Sequence, residues 1–71
     1  PLPGEELEQR EGALSLYQKL YALPEPYREV FWLRVYGELT FAEIAALHHK
    51  TESWARVTFY RARMKMKEAI L

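Results

Sequence analysis

The chain contains no cysteine, no aspartate and no asparagine. Without cysteine there are no disulfides and no thiolate metal ligands. Losing all three residue types removes most of the sets from which nucleophilic and acid–base sites are built. Serine occurs only as Ser15 and Ser53, and neither stands between the glycines of a nucleophile elbow. Glycine is equally scarce, with 3 residues in all and no glycine-rich phosphate loop. No apolar run approaches the roughly 20 residues of a membrane span, and no signal peptide is visible. The expectation is a protein that is not an enzyme, holds no cofactor or metal, and does not insert into a membrane.

An excess of one charge is also lacking. Ten basic and ten acidic side chains give a net charge of zero. The distribution is uneven, however. Residues 1–33 hold three basic and six acidic side chains. Residues 48–67 hold Lys50, Arg56, Arg61, Arg63, Lys65 and Lys67 against Glu52 alone, a local charge of +5. Such asymmetry points to a polyanion partner or, more simply, to a solvated helix face.

What the chain does have is apolar and aromatic side chains, at 49% and 14%. A length of 71 residues suits one small domain, with a core to match. Pro1, Pro3 and Gly4 read as the end of a linker over 1–5, and the domain as 6–71. Leu7, Leu14, Tyr17 and Tyr21, flanked by Ala13, Leu16 and Leu20, have helical spacing. They predict a first helix over 6–23, with Gly12 as its weak point. Pro24 and Pro26 then open a second helix that runs to about Tyr36, where Gly37 has the place of a C-terminal cap.

The next helix start is the sharpest local signal. Thr40 and Glu43 have capping-box spacing, and Leu39 and Ile44 have staple spacing. A short helix over 41–47 follows, then His48-His49-Lys50, then Thr51 as a second cap. A final helix runs from Glu52 towards Ala69. No repeat and no hairpin signal interrupts this pattern, so the fold class is all-α, a small four-helix domain.

Two helices joined by a short turn, the second one basic, describe a helix-turn-helix. On the final helix Ala55, Phe59, Ala62 and Met66 form one stripe, expected to face a core of Ile44, Ala45 and Leu47. Ser53, Val57, Tyr60, Arg61 and Met64 then face outward, with Arg56 on the flank. Arginines beside apolar groups suit a major groove, where they meet guanine edges and thymine methyls. An exposed basic helix on any small bundle has the same periodicity.

The run from Leu23 to Glu68 resembles region 4 of the extracytoplasmic-function sigma factors. The elements that carry the likeness are Leu23-Pro24, Arg28-Glu29-Val30, Glu43-Ile44-Ala45 and Arg61-Ala62-Arg63, in this order. The likeness covers about residues 20–68. It implies the winged-helix-like sigma region 4 fold and recognition of the promoter −35 element in double-stranded DNA. It also implies the β flap of core RNA polymerase and an anti-sigma factor as partners, and a cytoplasmic location. The chain would then be the C-terminal part of a longer protein whose region 2 lies outside it. Two alternatives stay open: the output domain of another transcription regulator, and a protein-interaction bundle.

Carried over position by position, the likeness places a recognition arginine at Arg56 and an arginine before alanine at Arg61. Val57 stands where serine is common, and Tyr60 at a variable position that can touch bases. Thr40 and Phe41 match a phosphate-contacting helix start. With Lys50, Ser53, Trp54 and Arg63 these make up the expected DNA-binding set. Departures occur at Ser53-Trp54-Ala55, where glycine-threonine-valine is usual, at His49 for a turn glycine, and at Thr58 for a basic residue.

Other readings are open in the sequence. Trp54 either stacks on sugar-phosphate or packs beside the turn. His48 and His49 are turn histidines expected near phosphate, with His49 able to adopt a left-handed turn conformation. Glu52 either complements the helix dipole or accepts from a cytosine amino group. Tyr27, Phe31 and Trp32 exceed what one small core needs, with Phe31 expected against the first helix and an exposed patch from the others.

Overall fold

The computed structural model describes the backbone of residues 3–70 and the side chains of 12–68. Four helices follow one another: α1 (Pro3–Ala22), α2 (Tyr27–Val35), α3 (Phe41–His48) and α4 (Glu52–Ile70). Among the described residues there is no strand, so the fold is all-α. Helix α1 begins at Pro3, earlier than the spacing predicts, because proline suits a helix's first turn. The linker expected over 1–5 lies partly outside the described residues.

Two small clusters make the core. Val30, Ile44, Ala45 and Ala55 join α2, α3 and α4, with Leu33, Leu39, Phe41, Trp54 and Phe59 against them. Leu20, Leu23 and Met66 join the end of α1 to α4, with Phe31 against them. Phe31 and Phe59 stack with ring centroids 5.9 Å apart, so aromatic contact makes the two clusters one core. Among the described side chains of the apolar spacing seen in the sequence, Leu14 and Tyr21 are exposed and Leu20 is buried.

Leu47 does not face the core; it is 59% exposed. On a helix of α3's length, Phe41, Ile44, Ala45 and His48 share one side, and Leu47 stands about 100° off its centre. Conversely Thr58 is buried, at 5% exposure, beside the Ala55–Phe59–Ala62 stripe.

Helix ends follow local chemistry. The Thr40 hydroxyl accepts the Glu43 amide at 3.1 Å, and the Glu43 carboxylate accepts the Thr40 amide at 2.9 Å. This capping box satisfies two donors that would otherwise be orphaned. Glu43 is held below its ordinary value of 4.5, first by the backbone amide of Thr40 and then by its side chain. At the other end of α3, His49 is left-handed, with φ 55 and ψ 42. Lys50 and His49 amides donate to Ala45 and Ala46 carbonyls at 2.9 and 3.3 Å, a Schellman pattern. Helix α2 ends differently from the glycine cap expected. Glu38, not Gly37, takes the left-handed conformation, with φ 57. Gly37 is needed for space instead. A Cβ there would lie 2.8 Å from the Leu33 carbonyl oxygen and 3.0 Å from Leu39 Cδ1.

Three outcomes test this reading. Gly37→Ala forces backbone apart and should cost about 1–3 kcal/mol in urea unfolding; an unchanged midpoint would contradict the close approach. Thr40→Ala should cost about 0.5–2 kcal/mol through loss of the cap. For Glu43 the sign is fixed by its lowered folded value. Its charged form stabilises the fold above 4.5, and that contribution is lost as pH falls through the lowered value. The melting-temperature gap between the parent and Glu43→Gln should therefore be present at neutral pH and close in acid. A gap that is constant with pH would refute the carboxylate's role.

Candidate nucleic-acid interface

A turn of three residues, His49 to Thr51, joins α3 to α4. Thr51 caps α4, its hydroxyl accepting the Trp54 amide at 3.1 Å. These two termini aim α4 relative to α3. Ala45 and Ala55, both buried, let the helices cross closely. The rest of α4's orientation follows from its stripe. Ala55, Ala62 and Met66 are buried and Phe59 is half-buried.

The outward side of α4 then carries Ser53, Arg56, Val57, Tyr60, Arg61 and Met64, all exposed. Val57, Tyr60 and Met64 are 47%, 55% and 57% exposed. Residues this apolar rarely stand together in solvent without a partner surface. Arg56 and Arg63 lie on one flank of this strip and Arg61 on the other, by helical angle. An open hollow of about 480 Å³ runs beside the strip, lined by Tyr27, Val57, Tyr60, Arg61, Met64, Lys65 and Glu68.

The ten expected contact residues fall into two groups. Thr40, Lys50, Ser53, Arg56, Val57, Tyr60, Arg61 and Arg63 are exposed, and Phe41 and Trp54 are half-buried. Thr40 has its hydroxyl committed to the cap. Arg56 donates to Glu52 at 2.9 Å, an exposed i,i+4 pair. Glu52 therefore partners Arg56 in addition to standing in the helix's first turn. Arg63 lies over the Phe59 and Tyr60 rings at 5.9 and 6.0 Å. No ion pair of Arg61 occurs among the described residues.

Trp54 packs beside the turn, against the first core cluster, with its ring 5.1 Å from that of His48. Lys50 Nζ lies 6.0 Å above it. His48 does not face outward as a phosphate ligand would. It closes the inner side of α3, and its Nε2 is buried, 3.8 Å from a Glu29 carboxylate oxygen and without a hydrogen bond. His49 is exposed. Among the described residues, no group of His, Cys, Asp and Glu could hold a metal ion. No described helix is long and apolar enough to cross a membrane.

Arg34 is a member of this surface that the sequence does not single out. It lies on α2, donates to the Leu39 carbonyl at 2.9 Å, and stands 4.4 Å over the Phe41 ring. Its place follows from the tertiary approach of α2 to the start of α3, which no local spacing announces.

A second surface lies on the α1–α2 side. Tyr17, Trp32 and Tyr36 cluster there, with Trp32 and Tyr36 centroids 4.5 Å apart and all three rings exposed. A hollow of about 240 Å³ beside them is lined by Leu20, Tyr21, Glu25, Arg28, Glu29 and Trp32. Of the aromatic residues expected in such a patch, Trp32 is exposed, whereas Tyr27 is half-buried with Lys65 Nζ 5.1 Å from its ring. Phe31 packs inward with Leu20 and Leu23, as expected.

No curated protein and no solved structure matches the chain significantly. The family model described as Sigma-70, region 4 matches residues 13–66, which span the end of α1, all of α2 and α3, and most of α4. Sigma region 4 is a non-catalytic domain. The capped short helix, the three-residue turn, the basic second helix and this match together place the chain in the Sigma-70 region 4 family.

Proposed function

We propose that the chain reads the −35 element of promoters for an alternative sigma factor of the extracytoplasmic-function group, working in the cytoplasm as part of a longer protein. The observation that carries this reading is the outward strip of Arg56, Val57, Tyr60 and Arg61 on α4, directly after a tight turn. Docked in a major groove, such a helix brings arginine forks to guanine edges and Val57 and Tyr60 to thymine methyls and base edges. Ser53 would stand at the groove entrance, near the start of α4. Lys50, Arg63 and the amides at the start of α3, around Thr40 and Phe41, would meet phosphates. Trp54 would support the turn from behind, bringing Lys50 towards the backbone. Neutral overall charge does not oppose this, because the basic residues are concentrated on α4.

The Tyr17–Trp32–Tyr36 cluster favours a second role in the same domain, that of holding protein partners. The β flap of polymerase and an anti-sigma factor are the partners this reading assigns to it. DNA and polymerase would then meet different sides of the domain.

Selection of duplexes from a randomised pool, followed by titration, tests the proposal. The selected duplex should bind with a log–log salt slope of about −3 to −4.5, for roughly three to five phosphate contacts. Arg56→Ala and Arg61→Ala should each cost about 1–3 kcal/mol on the selected duplex, while Lys67→Ala weakens selected and scrambled duplexes alike. A pool that stays random, or arginine variants that bind like the parent, would contradict it.

A further inference from the structure

Arg56 is held from two sides. Glu52 accepts from its Nη2 at 2.9 Å, and the Phe41 ring lies beneath its guanidinium carbon at 5.2 Å. The ring is itself fixed. It packs against the core cluster of Val30, Ile44, Ala45 and Ala55, and meets Phe59 at 5.7 Å. Arg34, anchored to the Leu39 carbonyl, lies over it at 4.4 Å. The capping box adds a further constraint by fixing the backbone on which Phe41 begins α3. A plate and an acceptor, both on separate helix starts, therefore converge on one exposed arginine. A free arginine samples many rotamers, and its planar fork reads a base edge only in a few of them. One Nη2 hydrogen is committed to Glu52, and the rest of the fork stays available.

We infer that Phe41 and Glu52 are positioning residues for sequence readout, holding the Arg56 guanidinium in a preset orientation. This rests on the proposed promoter-reading role of α4, and gives Phe41 a part distinct from any phosphate contact by its backbone. Glu52 has a double effect. It fixes Arg56, and its negative charge near the groove weakens binding to any DNA. It therefore favours discrimination over affinity.

The experiment compares Phe41→Leu, Phe41→Tyr, Glu52→Gln and Arg56→Ala in the 71-residue chain. Binding is measured on a selected duplex and on a scrambled one, and Arg56 side-chain order by ¹⁵N relaxation at Nε without DNA. Phe41→Leu keeps apolar bulk but loses the ring face. It should lower the selected-to-scrambled affinity ratio about threefold to tenfold. Affinity for the scrambled duplex should fall by less than that for the selected one. Phe41→Tyr should restore the ratio. Glu52→Gln should lower the ratio while raising affinity for the scrambled duplex. In an Arg56→Ala background, Phe41→Leu should change the ratio no further. Arg56 Nε order should fall in Phe41→Leu and Glu52→Gln, with Arg61 unaffected. Arg56 as ordered in these variants as in the parent would overturn the inference alone. So would equal loss on both duplexes, the mark of a merely structural role. A parent that binds both duplexes alike would instead overturn the promoter reading, and the use of a held Arg56 with it.

Discussion

The outward face of α4 depends on how closely that helix lies against α3. Ala55 and Ile44 are fully buried, with Ala45 and Val30 around them. Small side chains at 45 and 55 permit the close crossing, and the bulk of Ile44 and Val30 fills the space that remains. Once Ala55 is inside, helical geometry leaves no freedom. Residues 59, 62 and 66 follow it inward, and 57, 60, 61 and 64 face out. The turn cooperates, because a left-handed His49 and the Thr51 cap set the angle at which α4 departs. A larger residue at 55 would tilt the helix and displace every outward side chain at once.

The layout was largely legible in the sequence because it is written in local chemistry. Thr40 and Glu43 announced the start of α3, and Thr51 the start of α4, since caps act over three or four residues. The stripe of α4 was legible for the same reason, as a period of 3.6 needs no knowledge of the partner. What stayed hidden is tertiary. Leu47 seemed a core residue by type, but it stands about 100° round α3 from the side that meets the core. His48 took the inner place and lost its outward role. Gly37 seemed a left-handed cap, yet its need is for contact with the Leu33 carbonyl, which only the chain's fold-back creates. The place of Arg34 over the Phe41 ring was invisible because α2 and α3 contribute one residue each.

Net neutrality is no obstacle to a polyanion partner, given where the charges sit. Exposed charges more than about 10 Å apart are largely screened at ordinary ionic strength. DNA lying along α4, as proposed, would therefore meet the local excess of Lys50, Arg56, Arg61 and Arg63 and not the net charge of the chain. The aromatic cluster of Tyr17, Trp32 and Tyr36 belongs to α1 and α2, apart from the outward strip of α4. A small domain thus offers two chemically different surfaces, one suited to phosphates and base edges and one to protein.

The most direct measurement is an NMR titration of the labelled chain with a duplex it selects. The account predicts that shift changes centre on α4 from Ser53 to Met64, extend to the start of α3 and the Lys50 turn, and spare Tyr17 and Tyr36. Changes confined to the α1–α2 aromatic side, with the Arg56, Tyr60 and Arg61 signals unmoved, would contradict it.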